Sequence, residues 1–509
     1  MKPSIHQKLA RSKRRIERRL DKANLKGCLE PMFTASNIHY EIGDRCRGMA
    51  HGGIGAIHAL ARQLGLIDAI NTRLGLLKLH LPYHDSDHVL NLAYNALCGG
   101  TCLQDIELRR NDEVFLDALG ARRIPDPTTA GDYCRRFTAA SVHTLLDIFD
   151  DTRLLVWAKQ PTAFFAQATI DMDGTLVGTT GECKQGMDIA YDGTWGYHPL
   201  VLSLANTGEV LRLVNRSGNR PSHEGAAEQV DRALAVCFRG GFRRVLLRGD
   251  TDFSQTEHLD RWTADARVRF IFGYDAQPNV KALAEQLPER TWRKLERPAH
   301  YTVQTQPRQR PEHVKEQIVV TRQFENHRLQ SEEVAEFNYR PCACRQTYRM
   351  VVVRKNISVE KGEKLLFDRI VYFFYLSNDW VSEAHEIVFC ANDRCHQENL
   401  LAQLHSGLPA LRAPVDNLLS NWAYMVMTTL AWNLKAWWAL SLPEDPGRWQ
   451  AKHQAEKRWV LGIEFKTFVN AFIRLPRQIV RTGRKLVYRV LAWNPYQTIF
   501  FRLVSVLRC

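Results

Sequence analysis

Hydrophobic positions recur at helical spacing across residues 53–157. Two clear sets are Ile54, Ile57, Leu60, Ala61 and Leu64, and then Val89, Leu90, Leu92, Ala93 and Leu97. Residues three and four apart share one face of a helix, so each set predicts an amphipathic helix. Residues 85–87 (Asp-Ser-Asp) and 126–129 (Asp-Pro-Thr-Thr) are typical helix starts. The pattern predicts a helical domain over residues 53–160.

The pattern changes near Ala168. Strands are predicted over residues 168–177, 197–204 and 210–214, followed by a helix at 224–238, a strand at 244–247, a helix at 255–266 and a strand at 268–272. Three strands, helix, strand, helix, strand is the order of the ribonuclease-H-like α/β fold. We assign residues 161–275 to the first part of such a core, which should close with a helix.

The closing helix does not follow directly. Residues 276–378 carry β-rich runs at 317–321, 348–353 and 370–375, separated by polar segments that contain proline, and they predict a β-rich insertion. The helical pattern then resumes, with the closing helix predicted at residues 391–404 within a segment spanning 379–442. Residues 422–442 are the most apolar stretch, but Asn433 and Lys435 interrupt it, so a buried core helix is expected there. A basic helical region is predicted over residues 443–509.

The net charge of the chain indicates what kind of partner it binds. The chain has 69 Lys and Arg against 55 Asp and Glu, a formal net charge of +14, which indicates a polyanionic partner. No signal peptide opens the sequence, and the 12 cysteines are scattered, so we expect a cytoplasmic protein with free thiols. Cys342 with Cys344, and Cys390 with Cys395, lack the spacing of a zinc knuckle.

Residues 1–52 form a predicted basic arm, and several of its cations are candidate DNA contacts: Arg14, Arg15, Arg18 and Arg19. A solvated charged helix would explain the same run equally well. Arg135 and Arg136 end a short predicted helix that could read a DNA groove. Plain packing of a helix bundle with arginines on its surface is the alternative.

Acidic residues follow the predicted strands. Asp171 and Asp173 are two apart on one strand, so they point to the same face, and Asp250 lies at the carboxyl end of a buried strand. Glu398 lies on the predicted closing helix. Carboxylates gathered in this way repel one another unless divalent cations neutralise them, and their oxygens suit Mg²⁺ or Mn²⁺. Two such ions could activate the attacking oxygen and stabilise the leaving oxygen at phosphorus.

The predicted closing helix also carries cations beside its acid. Arg394, Glu398 and His405 are spaced at i, i+4 and i+11, close to one helical face. These cations could hold DNA phosphates beside a metal. An ordinary surface pair between Arg394 and Glu398 is the alternative.

Four motifs resemble the DDE transposases of bacterial insertion sequences, in the branch with a β-rich insertion. They are residues 170–175 (Ile-Asp-Met-Asp-Gly-Thr), 196–200 (Gly-Tyr-His-Pro-Leu), 247–253 (Leu-Arg-Gly-Asp-Thr-Asp-Phe) and 394–399, where Arg394 and Glu398 match the family's Y-x2-R-x3-E-x6-K signature. The signature's Tyr falls on Ala391, and its Lys falls on His405.

The resemblance implies specific roles. Asp173, rather than Asp171, is then the first catalytic acid, because the family's aspartate precedes x-Thr. Asp173, Asp250 and Glu398 would hold two Mg²⁺ or Mn²⁺ ions, with Asp171 and Asp252 as supporting or alternative acids. Arg394 and His405 would contact DNA near the cut.

The activity implied is that of a transposase. Such an enzyme would bind terminal inverted repeats, hydrolyse the 3′ ends and join them to target DNA as a homodimer, with neither a membrane nor a small-molecule substrate. A metal-dependent nuclease without strand transfer, or an inactive relative that only binds DNA, are the alternatives.

Overall fold

The computed structural model describes residues 3–21, 35, 38–40, 47–79, 82–297, 314–362, 364–482 and 485–507. Its α-helices, in chain order, are α1 (Pro3–Arg19), α2 (Ile54–Gln63), α3 (Leu66–Arg73), α4 (Asp85–Leu97), α5 (Ile106–Arg110), α6 (Glu113–Leu119), α7 (Pro127–Cys134), α8 (Ala139–Trp157), α9 (Ala226–Arg239), α10 (Thr256–Thr263), α11 (Pro278–Glu285), α12 (Val314–Thr321), α13 (Ala384–Asn392), α14 (Cys395–Ala402), α15 (Leu418–Leu440), α16 (Gln450–Gly462), α17 (Phe465–Phe468) and α18 (Gln497–Val504). Its strands are β1 (Gly48–Met49), β2 (Ala168–Gly174), β3 (Val177–Gly178), β4 (Asp188–Ile189), β5 (Trp195–Tyr197), β6 (Leu200–Leu204), β7 (Glu209–Val214), β8 (Val245–Gly249), β9 (Val268–Tyr274), β10 (Arg293–Lys294), β11 (Glu325–Tyr339), β12 (Tyr348–Lys361), β13 (Lys364–Ser377), β14 (Arg477–Thr482) and β15 (Lys485–Val490).

The chain divides into two compact units. Met1–Phe164, Thr175–Arg220 and Asn399–Cys509 form the first, called here the large unit. Phe165–Gly174 and Pro221–Glu398 form the second, called the sheet unit. The domain boundaries proposed from the sequence stay a prediction, and residues 22–34 of the predicted basic arm lie outside the described residues.

The sheet unit contains strands in the order β10–β11–β12–β13–β9–β8–β2. β2, β8 and β9 are parallel, with Leu247 of β8 opposite Ile170 of β2 and Phe270 of β9. β13 continues this sheet antiparallel to β9, and β12, β11 and β10 follow, each antiparallel to its neighbour. The α/β class and the β-rich insertion predicted from the sequence are therefore confirmed, and the insertion is hydrogen-bonded to the parallel strands.

The core of the sheet unit is formed by apolar side chains from the parallel strands, the insertion and α13. Leu246, Ile271, Val351, Ile387 and Val388 are all buried in one cluster. Removing such side chains from water is the main favourable contribution to folding, at about 25 cal/mol per Å² of apolar surface. The insertion therefore shares a core with the strands that carry the acidic residues.

The largest differences between predicted and observed elements lie at residues 317–321 and 391–404. Residues 317–321 were predicted as β-rich but belong to helix α12, in which no side chain is buried. The β preference of a run such as Ile-Val-Val-Thr depends on a partner strand and a half-buried face, and the part of the chain that the structure describes offers this run neither. The helix predicted over residues 391–404 is interrupted: α13 ends at Asn392, α14 begins at Cys395, and a π-helical turn follows at Gln403–Gly407.

Both predicted helix starts in the large unit are confirmed. The Asp126 carboxylate accepts a hydrogen bond from the backbone N–H of Thr129 at 2.9 Å, and Pro127 occupies the first turn of α7. The cap of α4 is His84, whose backbone N–H donates to the Asp87 carboxylate at 2.8 Å. Such caps satisfy N–H groups that have no partner within the helix. Residues 443–509 were predicted to be helical, but besides helices they contain the hairpin of β14 and β15.

The predicted core helix is α15. Every residue from Ser420 to Leu440 is buried. One charged group lies among them: Lys435 is 2% exposed. Its ammonium donates to the Leu461 carbonyl at 2.9 Å and lies 4.4 Å from the centre of the Trp432 ring. Among the described residues, the structure has no helix with the length and apolar character that a membrane span requires.

Burial lowers the pKa of Lys435 from 10.5 to about 7. Because the unfolded chain then binds more protons than the folded chain between about pH 7 and 10.5, the wild-type protein should gain stability as the pH rises through that window. Lys435→Met should remove this dependence and stabilise the protein at pH 7 by a few kcal/mol at most, since one pKa unit corresponds to about 1.4 kcal/mol.

Thermal denaturation from pH 6.5 to 10 checks this prediction. The melting temperature of Lys435→Met should exceed that of the wild type most at the low end of the range, and the difference should shrink as the pH rises. Lys452→Met is the control, because Lys452 is 62% exposed on α16. A constant difference across the range would show that Lys435 stays charged in the folded protein.

The large unit also buries a network of four charged side chains. Glu209 on β7 is fully buried and accepts hydrogen bonds from the indole N–H groups of Trp157 at 2.9 Å and Trp437 at 2.8 Å. Arg153 forms ion pairs with Glu209 and Asp150.

Asp150 also pairs with the fourth member, Arg212, and Arg153 donates to the Val210 carbonyl at 2.7 Å. Two acids thus balance two arginines inside the unit. The network connects α8, β7 and α15.

Candidate active site

Strand β2 carries two aspartates with different surroundings. Asp171 is buried and forms a bidentate ion pair with Arg248, at 2.6 Å to Nε and 2.8 Å to Nη2. Asp171 and Arg248 are direct neighbours in the parallel register of β2 and β8. Arg248 also donates to the Cys390 carbonyl at 2.7 Å. The Asp171 carboxylate is therefore engaged in holding β2, β8 and α13 together.

Asp250 follows β8 at its carboxyl end, as the sequence predicted. Its carboxylate caps a short 3₁₀ turn by accepting the backbone N–H of Asp252 at 3.0 Å. Gly273 on the neighbouring β9 allows the turn to pack closely, since a Cβ there would lie 2.8 Å from the Thr251 nitrogen and 3.0 Å from the Asp250 carbonyl carbon. Gly273 was not singled out from the sequence.

The charge of Asp250 acts on Asp173. The pKa of Asp173 is raised to about 6, mainly by burial; the Arg394 cation opposes the shift, and the negative charge of Asp250 adds to it. Burial likewise raises the pKa of Asp250, with Arg394 again opposing and with Asp252 and Asp275 adding to the shift. The sheet unit thus places two carboxylates where their negative charges are poorly tolerated without a compensating cation.

Arg394 supplies part of that compensation. Its Nη1 donates to the Asp173 carboxylate at 2.9 Å, and its Nη2 lies 3.6 Å from the Glu398 carboxylate. Arg394 lies in the turn between α13 and α14, and Glu398 lies in the first turn of α14. The ordinary pair of Arg394 with Glu398, considered as an alternative from the sequence, is present, but the shorter contact is to Asp173.

The side chains fit a divalent cation in part. Asp173 and Asp250 offer carboxylate oxygens, the donors that Mg²⁺ and Mn²⁺ prefer. Glu398 is 61% exposed. Among the described residues, no group of three or more His, Cys, Asp or Glu lies close enough together to hold a metal ion. Asp250 lies close enough to Asp173 to raise its pKa, and the role of Asp173, Asp250 and Glu398 as metal ligands stays a prediction.

A cavity of about 390 Å³ lies beside the Asp250 turn in the sheet unit. Its lining includes Asp252, Asp275, Glu257 and His223. Asp252 was named from the sequence as an alternative acid, whereas Asp275 was not. Asp275 follows the carboxyl end of β9, so the strand-end rule that selected Asp250 could also have found it.

His405 has surroundings that differ from those expected of a cation at DNA. In the large unit, its Nε2 lies 2.9 Å from the Thr175 hydroxyl. Burial lowers the pKa of His405 below 6.5, and Arg412 lowers it further. The expectation that a protonated His405 replaces the family's lysine is therefore not supported by its surroundings, and a contact of the neutral ring with DNA stays a prediction.

The other arginines that were predicted to contact DNA differ in their ion pairs and in their exposure. Arg135 forms ion pairs with Asp132 at 2.6 Å and Asp416 at 3.0 Å, whereas Arg136 is exposed. Helix α1 presents Arg14, Arg15, Arg18 and Arg19. The charged-helix alternative for residues 3–19 is thus the observed structure, and a helix of this charge can still contact DNA phosphates.

The chain is similar to known transposases in its family model and to one of them among solved structures. Among solved structures, the chain matches a cryo-EM structure of the piggyBac transposase synaptic complex with hairpin DNA, at 11% identity over 84% of this chain and 83% of that chain, with a TM-score of 0.36. No curated protein matches the chain significantly. A family model described as "Transposase DDE domain group 1" matches residues 47–509. The chain therefore belongs to the transposase DDE domain family.

Proposed function

We propose that this protein is the transposase of its own mobile element. It binds the terminal inverted repeats, cleaves the DNA ends by divalent-metal-dependent hydrolysis and joins the 3′-OH ends to target DNA. The observation that carries the proposal is the pair of Asp173 and Asp250 at the ends of adjacent parallel strands, each with a raised pKa, in a member of this family.

The chemistry of the site is phosphoryl transfer. Divalent ions, when bound, polarise the phosphate and activate the attacking oxygen. Asp173, Asp250 and Glu398 would hold the ions through their carboxylate oxygens. The fixed backbone of the Asp250 turn, packed on Gly273, orients one carboxylate before substrate binds. Asp171 and Asp252 support these acids.

Arg394 orients the DNA in this proposal. In the protein alone its guanidinium is bound to the Asp173 carboxylate. When the Asp173 carboxylate holds a divalent ion, the Arg394 guanidinium would instead donate to a phosphate oxygen next to the scissile bond. A planar guanidinium can donate two parallel hydrogen bonds to phosphate, which a lysine cannot copy.

Binding of the ends would use the basic residues of the large unit. Helix α1 contributes Arg14, Arg15, Arg18 and Arg19. The turn after α7 contributes Arg136, since Arg135 is held by two carboxylates. Two protein copies, each holding one end, would form the synaptic complex as a homodimer.

A joining assay tests the proposal. The purified protein is incubated with a donor plasmid that carries a marker between the DNA segments flanking the gene, together with a target plasmid and Mg²⁺. We expect 3′-OH ends at the segment borders and marker–target junctions, and EDTA should abolish both. Cutting without junctions would identify a nuclease, and a mobility shift without cutting would identify a protein that only binds DNA. Either result overturns the proposal.

A further inference from the structure

A cavity in the large unit is lined by three cations that have no role in the proposed cleavage or end binding. Its volume is about 210 Å³, and Arg412, Lys466 and Arg474 line it together with the turn at Gly99 and Gly100. Arg412 follows the π-helical turn after α14, Lys466 lies on α17, and Arg474 follows the second π-helical turn at Val469–Ile473. Three separate segments thus bring positive charge to one cavity.

These cations lack counter-ions. All three side chains are exposed, and no carboxylate of a described residue lies within ion-pair distance of them. Arg412 donates only to the His405 carbonyl at 3.3 Å, and Arg474 to the Asn470 amide oxygen at 3.4 Å. A cavity lined by charges of one sign attracts ligands of the opposite charge, so three cations without a carboxylate partner around one cavity indicate an anionic ligand.

The pKa of a neighbouring histidine is lowered in part by positive charges on this side of the large unit. The pKa of His51 is lowered to about 4 by burial and then by Arg109 and Arg474, and only Asp112 opposes with a negative charge. The Arg109 guanidinium donates to the Cys98 carbonyl at 2.8 Å, beside the glycine turn. The charge on this side of the large unit is therefore positive beyond the three lining residues.

The glycine turn shapes the cavity wall. Gly99 has a φ of +83°, and a Cβ at this position would lie 2.6 Å from Nη2 of Arg474. Glycine therefore lets the guanidinium lie directly against the backbone of the turn. On another side, the buried Phe465 and Val469 form an apolar wall. A ligand with an anionic group and an apolar body matches this combination.

We infer that this cavity binds a backbone phosphate of DNA, with its deoxyribose against Phe465 and Val469. The inference rests on the proposed function, because DNA is the polyanion that a transposase handles. The volume of about 210 Å³ is about seven times the roughly 30 Å³ that one water occupies in the liquid, which leaves room for a phosphate with its sugar.

The salt dependence of DNA binding tests this inference. The probe is a fluorescein-labelled duplex of the DNA that flanks the gene, titrated at several salt concentrations without divalent ions so that no cleavage occurs. Each lost phosphate contact should reduce the slope of log affinity against log salt by about 0.9. Arg474→Gln and Lys466→Gln should each weaken binding and flatten the slope, and the double variant should do so roughly twofold more.

Arg458→Gln is the matched control. Arg458 is also exposed, lies on α16 and has no ion-pair partner among the described residues, but it does not line the cavity. Its slope should stay close to that of the wild type. Equal flattening by Arg458→Gln and Arg474→Gln would overturn the inference, because the effect would then come from overall charge.

Calorimetric titration with inorganic phosphate separates a free anion from DNA. If the cavity variants lose binding of inorganic phosphate but keep the wild-type DNA slope, the ligand is a free phosphate and the inference is wrong. Failure of the proposed function is distinguishable from this result. If the wild type binds DNA but never joins it to a target, the proposed function is wrong. If the cavity variants join DNA normally and keep the wild-type salt slope, only the inference about the cavity is wrong.

Discussion

Asp173→Asn and Asp250→Asn are each expected to reduce Mg²⁺-dependent DNA cleavage at least about a thousandfold, which corresponds to about 4 kcal/mol of lost transition-state stabilisation. An asparagine keeps the shape of the side chain but removes the negative charge that would hold a divalent ion. Binding of the flanking DNA should stay within about threefold of the wild type, because the metal ions serve the chemistry more than the docking.

Stability measurements separate this effect from misfolding. Burial and Asp250 raise the pKa of Asp173, so ionised Asp173 costs folding free energy at pH 7, and Asp173→Asn should not lower the melting temperature. Asp171→Asn should lower it, because it removes one side of a buried bidentate pair with Arg248.

Asp252→Asn is the comparison variant for a supporting acid, since Asp252 is exposed and contacts Asp250 through its backbone N–H, which asparagine keeps. Its cleavage rate should remain within about tenfold of the wild type, a loss of about 1.4 kcal/mol at most. Wild-type cleavage by Asp173→Asn or Asp250→Asn would remove that residue from the proposed site. If Asp171→Asn folds normally but does not cleave DNA, while Asp173→Asn does cleave it, then Asp171 rather than Asp173 is the catalytic aspartate of β2.

Glu209→Ala is expected to destabilise the protein by about 3–5 kcal/mol, the usual cost of breaking a buried ion pair by removing one partner. The Glu209 carboxylate accepts hydrogen bonds from Trp157, Trp437 and the Thr207 hydroxyl, and it pairs with Arg153. Alanine would leave these donors without an acceptor and would leave the two buried arginines with Asp150 as their single carboxylate in the network.

Urea denaturation followed by tryptophan fluorescence measures this loss, since two of the donors are indoles. Asp151→Asn is the control, because its partner Arg73 and Asp151 itself are both exposed. It should cost less than about 1 kcal/mol. A Glu209→Ala variant that unfolds at the wild-type urea concentration would mean that the network adds nothing to stability.

Local features of the site were predictable, whereas long-range pairings were not. Asp126 could be identified as a cap because its acceptor and the N–H groups that it satisfies are neighbours in the sequence. Asp250 could be placed because a strand end needs only the hydrophobic run before it. The bond between Asp171 and Arg248 depends on the register of β2 against β8, and neither strand alone encodes that register.

The same distinction explains the two largest differences between predicted and observed elements. The run at residues 317–321 has β-branched side chains but no partner strand, and only the folded chain reveals that absence among the described residues. The interruption at Asp393 and Arg394 lies in a segment whose helical spacing continues on both sides. Arg394 was correctly singled out by its spacing, but its bond to Asp173 requires the fold.

The pairing of β13 with β9 limits how far this protein could be shortened. Phe374–Ser377 hydrogen-bond directly to Ile271–Tyr274, so a shortened chain lacking β10–β13 would leave the backbone of β9 open along that side. Exposed strand edges of this kind recruit strands from other chains and promote aggregation. The insertion therefore also protects the edge of the parallel strands, and a variant lacking β10–β13 is expected to self-associate through β9.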